Sequence, residues 1–148
     1  YNNGRLATVQ AEADGYDTAI FLNSRGKVSE GPGMCLFIIR DGVPITPSIS
    51  NDILESVTRD SVLRIIEQTY GETPIERDID RSELVAAEEA FFCGTAWEIT
   101  PILSIDRIKI GTGQIGMMTK QLQDKFFFIS EGRDTQYSNW CHPVYKTD

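Results

Sequence analysis

Three short segments carry residues that could do chemistry. The first is Ser29-Glu30-Gly31-Pro32-Gly33. A carboxylate beside two glycines can meet a ligand, because glycine lets backbone approach it closely. The same residues also serve as an exposed Glu before a tight turn. The second is Leu54-Glu55-Ser56-Val57-Thr58-Arg59, which runs into a helix. Free N–H groups and the positive end of the helix dipole bind phosphates there, and Ser56 and Thr58 add hydroxyls. Either hydroxyl is equally an ordinary N-cap. The third is Cys93-Gly94-Thr95-Ala96-Trp97-Glu98. A strand ending in Gly-Thr-Ala offers a hydroxyl and backbone amides as an anion cradle, or simply a turn between strands. No segment decides its own role.

Other chemistries are poorly supplied. His142 is the single histidine, and no nucleophile elbow surrounds it. Cys35, Cys93 and Cys141 are odd in number and far apart, which argues against a disulfide framework or a zinc pair and for a reducing, cytoplasmic setting. No metal site is expected. Cys35 and Cys93 sit in apolar stretches and read as core residues. The 148 residues carry 14 Lys+Arg against 22 Asp+Glu, a net charge of −8. That balance disfavours nucleic-acid binding, which wants a basic face. No apolar run approaches the roughly 20 residues of a membrane-spanning helix, so no membrane partner is expected.

The elements that must position these segments follow from periodicity and chain breakers. Residues 2–14 read as a helix with Leu6, Val9 and Ala13 on one face and Gly15 as its C-cap. Residues 17–22 and 27–30 read as strands around the polar turn 23–26. Residues 34–40 form a strongly apolar strand. Asp41-Gly42 suits a type I′ hairpin turn, and residues 43–46 return. Residues 58–70 read as an amphipathic helix with Val62, Ile65, Ile66 and Thr69 on one face. A short strand at 74–78 and a short helix through Ala87, capped by Asp80 or Ser82, follow. Strands are expected at 89–93, 98–103 and 104–108. The last helix spans 117–129, with Met118, Leu122, Phe126 and Ile129 at near-helical spacing. Tyr137, Trp140 and Tyr145 read as aromatic anchors of a polar tail. The class is mixed, α+β or α/β.

Taken in order, these segments resemble the class IV pyridoxal-phosphate aminotransferases, above all the branched-chain amino acid aminotransferases. Glu30-Gly31-Pro32-Gly33 before Met34–Phe37 resembles the family's glutamate-bearing segment. Asp41-Gly42-Val43, Thr46-Pro47 and Ile53–Asp60 resemble its phosphate-loop region. Gly94-Thr95-Ala96-Trp97-Glu98-Ile99-Thr100-Pro101 resembles its most recognisable downstream motif. Residues 111–121 are similar to the start of its last helix, and 140–144 to its C-terminal end. The likeness runs over essentially the whole chain.

The resemblance implies an α+β fold of the D-amino-acid aminotransferase-like kind, a mixed sheet or pseudo-barrel with flanking helices. It implies pyridoxal 5'-phosphate as cofactor and transamination of leucine, isoleucine and valine with 2-oxoglutarate. Glu30 would face the ring nitrogen, Leu54 would pack on the ring face, and Tyr1 would donate to the ring's phenolic oxygen. Val57 and Thr58 amides, with Ser56, Thr58 and Thr95 side chains, would line the phosphate site. Thr95, Ala96 and Trp97 would meet the substrate. The Schiff-base lysine is expected five residues before Tyr1. Residues 1–148 would thus be the C-terminal cofactor-binding domain, lacking the small N-terminal domain and inactive alone. Partners would be amino acids, 2-oxo acids and a second copy, in a homodimer or higher homo-oligomer. Cys35 stands where asparagine is common, Ser56 for a frequent glycine, Met117-Met118 for a frequent Pro-containing helix start, and Trp97 for a frequent alanine. Trp97 bears on substrate choice and keeps other class IV readings open: D-amino-acid or amine transaminase, or aminodeoxychorismate lyase. A non-enzymatic binding domain of the same fold is the reading of a different class.

Overall fold

Strands β1 (Cys35–Arg40) and β2 (Val43–Thr46) follow helix α1 (Asn2–Ala13) in a computed structural model that describes residues 2–142, 144 and 145. Then come α2 (Val57–Tyr70), β3 (Ile75–Glu76), α3 (Arg81–Val85), β4 (Glu89–Gly94) and β5 (Glu98–Pro101). A small hairpin, β6 (Ser104–Ile105) and β7 (Ile108–Lys109), precedes α4 (Met117–Ser130). Five strands form an open sheet in the order β3-β2-β1-β4-β5, mixed because β3 alone runs parallel to its neighbour.

β1 and β4 are apolar at nearly every position because both sheet faces are covered. Successive side chains alternate between faces. Cys35, Phe37 and Ile39 join Phe91 and Cys93 under α2 and α4, where Val62, Ile65, Ile66, Leu122 and Ile129 complete one core. Leu36, Ile38 and Phe92 meet Val28, Ile79, Leu84 and Ile110 on the other face. The Phe37 and Phe91 rings stack at 5.0 Å across the central strand pair. Asp41 and Gly42 both take positive φ (52° and 73°), as a type I′ turn requires.

The helix ends are satisfied in different ways. Ser56 accepts from Arg59 N at 3.3 Å to start α2, and Gly71 ends it in the left-handed region. Asp80 and Glu83 form a reciprocal capping box on α3. At α4 the cap position is Gly116, which has no side chain to offer. Glu89 reaches across from β4 instead. Its carboxylate accepts from Met118 N at 3.1 Å and from Thr119 N and Oγ1 at 2.7 Å. A Cβ on Gly116 would fall 1.9 Å from Glu89 Cδ, so only glycine admits this contact.

Several expectations need correction. Residues 17–22 and 27–30 are not strands. Phe21 N donates to Glu30 O at 2.8 Å, Ser29 N donates to Phe21 O at 2.9 Å, and Leu22 bridges Val28, but no continuous ladder forms. The segment expected at 98–103 stops at Pro101, and 104–108 is a hairpin turned by Asp106 and Arg107, both at positive φ. On α1, Leu6 and Val9 are 68% and 58% exposed, and Ala11 rather than Ala13 is buried. Thr69 faces solvent. In the tail, Tyr137 is buried edge-on against Trp140 at 4.8 Å, whereas Tyr145 is exposed. No helix of the described residues is long and apolar enough to cross a membrane.

Candidate functional site

The three chemistry-bearing segments meet at one end of the two central strands. Antiparallel pairing sets Cys35 opposite Cys93, so the start of β1 lies beside the end of β4. The chain before β1 carries Glu30, and the chain after β4 carries Thr95 and Ala96. Their approach is close: a Cβ on Gly94 would lie 3.1 Å from the Gly33 carbonyl oxygen. The second segment is fastened to the first at Leu54. Its N–H donates to Glu30 Oε2 at 2.8 Å, and its carbonyl faces the Cys35 thiol at 3.6 Å.

From Leu54 the chain enters α2. Ser56 spends its hydroxyl on Arg59 N, which leaves the Val57 and Thr58 N–H groups without an acceptor among the described residues. Val57 is 85% exposed, and Leu54 is 63% exposed. Thr58 is half-buried; Thr95 and Ala96 are exposed. Behind the helix start, the buried Arg59 guanidinium donates to Pro47 O at 2.9 Å and Glu76 Oε2 at 2.6 Å. Its Nε has no partner among the described residues. Arg59 is thus neutralised by Glu76, and the positive end of the α2 dipole with its open amides is what favours an anion here.

The neighbouring thiols are not reactive groups. Burial pushes Cys35 above its ordinary value and the Glu30 charge adds to this, while Arg59 and Ser56 pull partly back. Cys93 is raised further by burial, then by Cys35. Thiols of this kind are inert as nucleophiles near neutral pH. No cluster of His, Cys, Asp and Glu suited to a metal ion occurs among the described residues.

Glu30, Leu54, Ser56, Val57, Thr58, Thr95 and Ala96 therefore belong to one neighbourhood. Trp97 does not share it fully. Its half-buried indole packs with the cluster of Leu36, Ile38 and Phe92, on the face opposite Cys35. There it borders a cleft of about 710 Å³ with Tyr16, Thr18, Phe21 and Thr100. Tyr1 lies outside the described residues. Two residues absent from the expected set tie the segments together: Ser29, whose hydroxyl donates to Asp52 O at 2.9 Å, and the fully buried Asn51. Nothing in their local sequence distinguishes them from ordinary turn residues.

The donor set has a clear chemical sense. Open amides and hydroxyls suit a phosphate. A carboxylate nearby suits a protonated ring nitrogen. The exposed Leu54 side chain between them suits an apolar ring face. A phosphorylated aromatic cation matches all three.

Comparison with known proteins identifies the family. The class IV amino-transferase family model matches residues 1–105. The probable branched-chain-amino-acid aminotransferase of Aquifex aeolicus is 47% identical over 145 residues, covering 98% of this chain and 47% of that protein. The crystal structure of the branched-chain amino acid aminotransferase from Thermobaculum terrenum, in its PLP-form, superposes with a TM-score of 0.95 at 49% identity over 99% of this chain and 48% of that one. The enzyme from Thermoproteus uzoniensis, solved with norvaline, gives 0.92 at 45% identity over 98% and 48%. The chain spans about half the length of the curated relatives it matches.

Proposed function

Given that the chain belongs to the class IV aminotransferase family, we propose that the whole protein moves the amino group of leucine, isoleucine or valine to 2-oxoglutarate. Residues 1–148 are its cofactor-binding domain. A small N-terminal domain and the lysine that bonds the cofactor belong to the upstream part of the polypeptide. The half-length match to relatives supports this division.

Pyridoxal 5'-phosphate is the cofactor, as in the PLP-form neighbour, and the donor set fits it. When bound, it supplies an electron-withdrawing ring that accepts negative charge developed at the substrate's α-carbon. Glu30 would keep the ring nitrogen protonated, because a nearby carboxylate favours the cationic form. Val57 and Thr58 amides, with the hydroxyls of Thr58 and Thr95, would hold the phosphate, while Ser56 fixes the helix start. Leu54 would cover a ring face. Thr95 and Ala96 would offer backbone amides to the substrate carboxylate, and Tyr1 a hydroxyl to the ring oxygen. Trp97, packed on the opposite face, would act on substrate choice mainly through the backbone of that loop.

One observation carries the reading: a single contact, Leu54 N to Glu30 Oε2, joins the ring-nitrogen carboxylate to the open amides of α2. The working protein is a homodimer or larger assembly; the apolar Leu6 and Val9 left exposed on α1 support a further packing partner. The free thiols fit a reducing compartment such as the cytoplasm. A panel of amino donors with 2-oxoglutarate, on the full-length protein, tests the substrate assignment. Glutamate should form from leucine, isoleucine and valine. Activity confined to D-amino acids or amines would replace this assignment with another class IV reaction.

A further inference from the structure

We propose that Asn51 is a positioning residue of the cofactor site, holding the Glu30-bearing segment and the approach to α2 in one register; this rests on the functional reading above. Asn51 closes a short 3-10 turn (Ile49–Asn51) and is 0% exposed. Its Oδ1 accepts from Asn23 Nδ2 at 3.3 Å and Arg25 Nη2 at 2.8 Å. Its Nδ2 donates to Ser48 Oγ at 2.9 Å and Asp78 Oδ1 at 3.0 Å. A primary amide has two donors and two accepting lone pairs, so every bond it can make is made. Arg25 and Asp78 also pair with each other at 3.3 Å.

What Asn51 joins gives the knot its purpose. Residues 23–25 belong to the turn whose base is the Phe21 N to Glu30 O bond, so fixing that turn fixes the backbone at Glu30. On its other side Asn51 leads through Asp52 and Ile53 to Leu54. Asp52 is left-handed (φ 58°), and its carbonyl accepts from the buried Ser29 hydroxyl. Three side-chain rungs therefore cross between the two segments: Asn51 to Asn23 and Arg25, Ser29 to Asp52, and Glu30 to Leu54. No backbone ladder joins them, so these rungs set the distance between the Glu30 carboxylate and the α2 amides. A cofactor held at both ends reads that distance. Removing Asn51 leaves Arg25 and Asp78 their mutual pair and solvent, at 54% and 41% side-chain exposure, so what is lost is the tie between residues 23–25 and the approach to α2.

The test uses the full-length protein and titration with pyridoxal 5'-phosphate, followed by the bound cofactor's absorbance. Asn51→Ala should weaken cofactor binding about tenfold, and Ser29→Ala about threefold, from the hydrogen bonds each loses. Amide exchange at Leu54, measured without cofactor, should accelerate in both. Ile129→Ala, a core truncation at the far end of α4, should lower the melting temperature and leave the dissociation constant unchanged. A folded Asn51→Ala protein with wild-type affinity and wild-type Leu54 exchange overturns the proposal. If Asn51→Ala does not fold, Ser29→Ala decides by the same two readings. If wild-type protein binds no cofactor, the functional reading fails, and Leu54 exchange alone judges the role of Asn51.

Discussion

Replacing Glu30 separates two jobs done by one carboxylate. Its Oε2 accepts the Leu54 N–H at 2.8 Å. A bond to a charged acceptor contributes about 1.5–3 kcal/mol and one to a neutral acceptor about 0.5–1.5. Glu30→Gln keeps an oxygen in place and should cost about 1 kcal/mol of loop order. Glu30→Ala removes the acceptor, and the half-buried site lets water answer part of the loss, so about 2 kcal/mol is expected. Cofactor affinity should then fall about fivefold in Gln and about thirtyfold in Ala. The charge is a separate matter. An opposite charge within hydrogen-bonding reach moves a pKa by about one to three units. Two units at the ring nitrogen correspond to about 2.7 kcal/mol, or roughly a hundredfold in rate. Both variants lose that charge, so both should lose about a hundredfold in turnover. The assay pairs cofactor titration with glutamate formation from leucine and 2-oxoglutarate at saturating cofactor. Turnover within about threefold of wild type in Glu30→Gln would refute the role of the charge. Equal affinities in Gln and Ala would refute the role of the Leu54 contact.

Two further outcomes concern the scaffold. Arg77 grips Glu83 through both oxygens, at 3.0 and 2.7 Å, and holds its carboxyl down from 4.5 to about 2. A depressed folded pKa gives stability that is complete above the unfolded value and is lost as pH falls from about 4.5 towards 2. Melting temperatures followed between about pH 5 and pH 3 should therefore fall more steeply in wild type than in Glu83→Gln; parallel curves would contradict this. Gly116→Ala and Glu89→Ala should each cost about 2 kcal/mol by removing the same cap from α4. The double variant should be little worse than either single one, and fully additive losses in denaturant titration would show that the two residues act apart.

The central sheet was legible because its strands are unusually apolar. Residues 34–40 and 89–93 are buried on both faces and read as strands without help from alternation. Asp41-Gly42 and Ser56 marked their turn and helix start by backbone chemistry that is local. The three site segments were also visible, but their meeting followed only from the family resemblance and not from the residues themselves. It depends on the register of Cys35 against Cys93, a pairing across more than fifty residues. The β6–β7 turn went unseen because Asp106 and Arg107 take positive φ where glycine or asparagine is usual. Asn51 looked like any loop asparagine until Arg25 and Asp78, remote in sequence, closed around its side chain.

The most direct measurement compares pyridoxal 5'-phosphate with pyridoxal, which lacks the phosphate. On the full-length wild-type protein the phosphate should strengthen binding by at least about a hundredfold, given two helix amides and two hydroxyls as charge-assisted donors. In Thr58→Ala with Thr95→Ala that advantage should shrink about tenfold or more, while affinity for pyridoxal itself stays near wild type. An advantage unchanged by the paired substitution would contradict the assignment of these segments as the phosphate site.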